Sequence, residues 1–168
     1  MTAAFRVRTA KIIGAVIDDR VDVGVLPRVP EDGRFFRSVC MSQDIVALVP
    51  VEHKMAKVKT VDLHNLIDER LIFQKRGSAT QRVVDAAFKK SGLKPRPALV
   101  LETGSEVYEA VVNGLGIGFM WRNGTSRKDG TRRLSVRQLN TKFEEVIFRR
   151  ANLNNPIVNL FFITTAEA

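Results

Sequence analysis

The stretch from Ala98 to Trp121, ALVLETGSEVYEAVVNGLGIGFMW, constrains the fold more than any other, because strand, helix and second strand follow one another within it. Leu99, Val100 and Leu101 form a short apolar run suited to a buried parallel strand. Thr103 or Ser105 can cap the helix that follows, whose apolar face is Val107, Ala110 and Val111 at three- and four-residue spacing. Asn113-Gly114 ends that helix, since glycine enters the left-handed conformation without steric cost. Ile117 to Trp121 resumes as a strand. A strand, a crossover and a strand in this order imply parallel pairing and a right-handed connection. A site is then expected at the carboxyl ends of the strands, where Thr103 and Ser105 lie.

The rest of the chain repeats this grammar. Phe5, Val7 and Thr9 alternate with arginines as a strand, and Thr9 is placed to cap a helix with Ile12, Ile13, Val16 and Ile17 as its apolar stripe. Val21, Val23 and Val25 read as the next strand, followed by strands at Phe35 to Met41 and Ile45 to Val49. Val61 to Ile67 reads as a short helical turn before the strand Leu71 to Phe73. Ser78 and Gln81 have the spacing of a capping box, ahead of a helix that buries Val84, Ala87 and Phe88. Strands are expected at Leu134 to Val136 and Val146 to Arg149. Pro156 can open a last helix with Ile157, Leu160 and Phe161 inward.

Three helices are thus led by serine or threonine: at Thr9, at Ser78 to Thr80 and at Thr103 to Ser105. Helix amino termini carry unpaired amides and partial positive charge, so three of them at one end of a parallel sheet suit a small anion. Each of these residues is also simply a good cap.

Several chemistries are excluded. Gly114-Leu115-Gly116-Ile117-Gly118 closes a helix and opens a strand, whereas a dinucleotide fingerprint does the reverse. The two histidines, His53 and His64, have no ligand partners at metal spacing and no nucleophile context, so no catalytic residue, metal or cofactor is expected. The lone cysteine, Cys40, reads as a buried thiol. Tyr108 and Trp121 read as core or rim packing near the cleft. A formal charge of +9 suits an anionic ligand, an acidic partner or nucleic acid. The basic cluster Arg122, Arg127, Lys128, Arg132 and Arg133 reads as a solvated loop. With neither a signal-like amino terminus nor a membrane-length apolar run, the expectation is a cytoplasmic protein.

Three ordered motifs carry a family resemblance. Arg20-Val21-Asp22-Val23-Gly24-Val25, then Val49-Pro50-Val51-Glu52-His53-Lys54-Met55-Ala56 with Asp62-Leu63, then Val111-Val112-Asn113-Gly114-Leu115-Gly116-Ile117-Gly118 together resemble the effector-binding domain of LysR-type transcriptional regulators. Lys54-Met55 stands where that family usually has Pro-Leu. The resemblance implies an α/β, two-lobed fold of the periplasmic-binding-protein type II class with mixed, mainly parallel sheets. Lobe I would hold residues 1–49 and 149–168, and lobe II residues 50–148. The family's winged helix-turn-helix, linker helix and opening strand and helix of lobe I have no counterpart in this sequence, so an incomplete lobe I is expected. The resemblance also implies an effector bound between the lobes. It transfers effector contacts to Thr9 and to Ser78, Thr80, Thr103 and Ser105, with Arg28 as a further candidate.

The function expected is therefore a regulatory sensor. A small anion, carboxylate or phosphonate-like, shifts the conformation of a homo-oligomer that reaches DNA only through the absent helix-turn-helix, with no membrane involved. A transporter's solute-binding receptor shares the architecture and is the alternative; an enzyme would need a catalytic constellation that the sequence does not display.

Overall fold

The structure, a computed structural model, describes residues 11–26, 29–127 and 129–166. The strand expected at Phe5 to Thr9, and with it Thr9 and Arg28, lies outside them. The chain divides into two units, residues 1–43 with 142–168 and residues 44–141. The last strand pairs along its whole length within the first unit.

In the first unit a helix, α1 (11–17), precedes β1 (Gly24–Leu26) and β2 (Phe35–Gln43). The carboxyl-terminal return supplies β9 (Phe143–Arg150) and α5 (Pro156–Ala166). The sheet order is β1-β9-β2, antiparallel throughout, with a bulge between Val39 and Met41. Val16, Leu26, Val29, Phe35, Val146 and Phe148 form its core on one face. Ile147, Val158 and Phe162 form a smaller cluster. The phase of α5 is therefore not the one expected: Val158 and Phe162 are buried, whereas Ile157, Leu160 and Phe161 are exposed. The helix is apolar nearly all round, so its sequence period cannot choose a face.

The second unit runs β3 (Ile45–Pro50), a 3-10 turn (Lys54–Lys57), β4 (Thr60–Val61), α2 (Leu63–Leu66), β5 (Leu71–Gln74) and α3 (Ala79–Lys90). Next come β6 (Leu99–Leu101), α4 (Gly104–Val112), β7 (Ile117–Trp121), β8 (Thr131–Val136) and a second 3-10 turn (Arg137–Leu139). Its mixed six-stranded sheet has the order β4-β8-β3-β7-β5-β6. Parallel pairing is confined to β4 with β8 and to β5 with β6 and β7; β3 is antiparallel to both neighbours. Thus β6 and β7 run parallel as expected but do not pair, because β5 lies between them and bonds to both.

Both faces of this sheet are covered. Ile45, Ala47 and Val49 point into one cluster with Leu71, Phe73, Val84, Phe88 and Phe119, and Val46 and Leu48 into the other with Ile72, Val107, Tyr108 and Val111. That strict alternation along a wholly buried strand makes β3 the centre of the unit. The glycine-rich turn packs helix against strand: a Cβ on Gly118 would sit 2.5 Å from Val107 Cγ1. It holds no nucleotide-binding geometry.

Candidate functional site

The site grows from the parallel strands β5 and β6, whose carboxyl ends deliver the chain into α3 and α4. Ser78 and Thr103 cap these helices. Ser78 Oγ accepts from Gln81 N at 3.0 Å, and Thr103 Oγ1 accepts from Glu106 N at 3.2 Å. At α4 the capping box is complete, since Glu106 Oε2 accepts from Thr103 N at 3.0 Å and from Glu102 N at 2.8 Å. At α3 it is half made. The Gln81 side chain turns to the strand instead: its Oε1 accepts from Gln74 N at 3.0 Å, and its Nε2 donates to Asp85. Ser78 Oγ in turn donates to Gln74 Oε1 at 2.7 Å.

Two links tie the loops in front of the helices together. Lys75 N donates to Leu101 O at 2.8 Å, and the Lys75 ammonium pairs with Glu102. The two amino termini are held side by side, and the Gln74 amide lies between them, 3.5 Å from where a Cβ on Gly104 would be. Four first-turn amides, those of Ala79, Thr80, Gly104 and Ser105, make no hydrogen bond among the described residues. Such donors, with the partial positive charge of the helix end, are the physical basis of anion binding.

Beside them is a cavity of about 350 Å3. Thr80, Gly104 and Ser105 contribute the helix ends, and Gln74 the strand end. Tyr108, Met120 and Trp121 supply the apolar wall, and Gly124, Thr125 and Arg127 close it from the loop after β7. Thr80 is only 6 % exposed, and its hydroxyl is uncommitted among the described residues.

That loop is largely exposed, as a solvated turn is, but three of its arginines are engaged by partners. Arg122 grips Asp44 with two bonds, Nε to Oδ1 at 2.8 Å and Nη2 to Oδ2 at 2.7 Å, and reaches Ser135 Oγ at 2.9 Å. Arg133 Nη2 donates to the carbonyls of Thr125 and Arg127. Arg127 pairs with Glu109 and Asp129, and its guanidinium lies 4.6 Å over the Tyr108 ring. Tyr108 OH donates to the Asp129 carbonyl at 2.9 Å. Arg122, Arg127 and Arg133 are thus engaged in building the wall.

The hydrogen bonds from Arg127, helped by that from Tyr108, hold Asp129 at about 2, below the ordinary carboxylate value of 3.8. A depressed carboxylate favours the folded loop above the unfolded pKa, and the benefit is lost as pH falls through the folded one. The loop is therefore expected to loosen between about pH 4 and 2. Tyr108 and Trp121 ring resonances should shift across that window, and Asp129→Asn should remove the transition.

Of the six residues expected from sequence, Thr80 and Ser105 line the cavity. Ser78 and Thr103 stand behind it as caps, their side-chain oxygens committed to the helices. Thr9 and Arg28 lie outside the described residues. Sequence reasoning missed Gln74, Thr125 and Arg127. Arg127 was signalled only by its charge, because its partner Glu109 comes from α4 and only the fold brings the two together.

Among the described residues no group of His, Cys, Asp or Glu could hold a metal ion, and no helix is long and apolar enough to cross a membrane. A family model described as the LysR substrate binding domain matches residues 4–162. The HTH-type transcriptional regulator CysL of Bacillus subtilis is 24% identical over 110 residues, covering 66% of this chain and 36% of CysL. The RuBisCO operon transcriptional regulator of Allochromatium vinosum is 27% identical over 117 residues, 69% of this chain and 37% of that protein. The chain thus matches little more than a third of the length of these relatives, both transcriptional regulators.

Among solved structures, the Synechocystis PCC6803 CcmR regulatory domain in complex with 2-PG superposes with a TM-score of 0.70 at 17% identity, over 94% of this chain and 77% of that one. HinK, a LysR family regulator from Pseudomonas aeruginosa, gives 0.72 at 18% identity, over 94% and 56%. These likenesses establish the periplasmic-binding-protein type II fold. With the family model spanning nearly its full length, the chain belongs to the LysR substrate binding domain family.

Proposed function

We propose that this chain is the effector-sensing module of a LysR-type regulator in the cytoplasm, and that its effector is a small carboxylate or phosphonate-like anion. The observation that carries this reading is the pair of helix amino termini, α3 and α4, held side by side at one cavity with first-turn amides uncommitted. An oxyanion there accepts from the amides of Thr80, Gly104 and Ser105 and from the Thr80 and Ser105 hydroxyls. The body of the effector packs on Met120 and Trp121. Similar domains solved in complex with 2-PG and with shikimate support a small, oxygen-rich effector class. Occupancy biases one conformation of a homo-oligomer only through different affinity for its two states, and DNA is contacted by another part of the regulator.

The test is calorimetric titration with malonate, phosphonoacetate, methylphosphonate and shikimate. At least one should bind saturably. Thr80→Val removes a charge-assisted hydrogen bond worth about 1.5–3 kcal/mol, and should weaken that ligand roughly tenfold or more. Thr103→Val, which acts through the cap, should lower stability more than affinity. Equal affinity in wild type and Thr80→Val would place the ligand elsewhere.

A further inference from the structure

The carboxamide of Gln74, at the end of β5, lines the α3/α4 cavity, and its two ends are not alike. Its Oε1 accepts from Ser78 Oγ at 2.7 Å, whereas its Nε2 has no partner among the described residues and lies 3.5 Å from where a Cβ on Gly104 would be, at the start of α4. A side-chain amide carries two donors on that nitrogen, so a pair of N–H groups stands unused at the cavity wall. Thr80, 6 % exposed and with its hydroxyl unpartnered among the described residues, lines the same space.

Which end of the amide meets the cavity is decided by the bonds behind it. Gln81 N donates to Ser78 Oγ at 3.0 Å, closing the cap of α3, so the hydroxyl proton is what Ser78 has left to give. That proton goes to Gln74 Oε1. Turning the amide over would set N–H groups against the hydroxyl and strand its proton in a part-buried cluster, where Gln81 is only 3 % exposed. The strand end is anchored as well, since Gln74 N donates to Gln81 Oε1 at 3.0 Å and Gln81 Nε2 donates to Asp85 Oδ1 at 2.7 Å. The series Gln81 N–H, Ser78 O–H, Gln74 C=O and Gln74 N–H therefore runs in one direction, from the start of α3 to the cavity, and each bond polarises the next.

We infer that Gln74 is an effector-binding residue and that Ser78 is its positioning residue, and that together they make the site demand a hydrogen-bond acceptor from the effector. The inference rests on the reading of the α3/α4 cavity as the effector site, and it adds a side chain to the helix amides. One oxygen of a carboxylate or phosphonate accepts from Gln74 Nε2 while the others meet the amides of the helix ends. An ammonium in the same place would meet donors at Gln74 and at both helix ends. An effector with anionic groups at both of its ends is therefore favoured over a zwitterion of similar length. Ser78 acts on the effector through Gln74, its own oxygen being held by the cap.

The experiment titrates the full chain calorimetrically with malonate, phosphonoacetate and 3-aminopropanoate, in which an aminomethyl group replaces one carboxylate of malonate. Gln74→Met, which keeps the length of the side chain without its amide, should weaken the anion that binds roughly tenfold or more, for loss of a bond to a charged group. Ser78→Ala should weaken it about fivefold, and Ser78→Thr, which keeps the donor, should retain wild-type affinity. The deciding comparison is Ser78→Ala made in Gln74→Met. No further loss of affinity is expected there, although the melting temperature should fall in both backgrounds because the cap is lost in both. Equal affinity in wild type and Gln74→Met would overturn the inference while leaving the helix-end site in place. So would the same loss of affinity from Ser78→Ala in both backgrounds, or 3-aminopropanoate binding as tightly as the better of the two anions. Absence of saturable binding by either anion in wild type would overturn the effector-site reading and this inference with it.

Discussion

Gly116→Ala is expected to lose about 3–5 kcal/mol of stability, a large share of the roughly 5–15 kcal/mol that holds a domain folded. Gly116 has a φ of +155°, a conformation that L side chains rarely adopt, and a Cβ there would sit 2.1 Å from the backbone oxygen of Arg70. That oxygen cannot yield cheaply. It accepts from Ile117 N at 2.8 Å, and the flanking Leu71 and Ile117 are both buried in the core of the unit. Relief would require β5 and β7 to part at the start of their parallel pairing. Gly114→Ala is the control: φ is +73° but nothing lies within 4 Å of the added methyl, so only the left-handed backbone is penalised, by about 1–2 kcal/mol. Urea denaturation of both variants checks the contrast. Equal midpoints would mean that the turn has room to relax.

The second large effect is expected at Asp44→Ala, about 2–4 kcal/mol, below the figure for a fully buried pair because the Arg122 side chain is 34% exposed. Asp44 itself is buried, and its carboxylate accepts both arms of Arg122 while its carbonyl accepts from Arg122 N at 2.9 Å. This pairing raises the Arg122 pKa, so the guanidinium stays charged and would be left facing a hole. The carboxylate therefore clamps the start of β3 to the exit of β7. Losing it should loosen the loop that brings Thr125 and Arg127 to the cavity. Asp44→Ala should accordingly show a lower urea midpoint and weaker anion binding, whereas Asp44→Asn, which keeps the shape and one acceptor, should lose less of both. Wild-type stability in Asp44→Ala would mean that the pair does not act as a clamp.

Much of this was legible in the residues themselves. The Thr103 cap, the Asn113-Gly114 stop and the short apolar run of β3 are local signals, and each of these formed where its chemistry called for it; the capping box expected at Ser78 and Gln81 is complete instead at Thr103 and Glu106. The order of strands was not legible. Nothing in the run of residues 98–121 says that β5, from some 25 positions earlier, will insert between β6 and β7. The phase of α5 was hidden by its nearly uniform apolar surface. The arginine loop is largely exposed, as its charge suggests, but its pairing was not legible: the partners Asp44, Glu109 and Ser135 are distant in sequence, and only the fold brings them to Arg122 and Arg127. At the site, caps and ligand-facing positions share one residue chemistry. Sequence could name the helix starts, and geometry was needed to separate Thr80 and Ser105 on the cavity from Ser78 and Thr103 behind it.

That two paired helix ends receive an anion is tested most directly by amide resonances in a titration with phosphonoacetate and malonate. The largest saturable shifts should fall on the backbone N–H groups of Ala79, Thr80, Gly104 and Ser105, and they should move together with one affinity. Largest shifts on any other amides, or none for either anion, would contradict it.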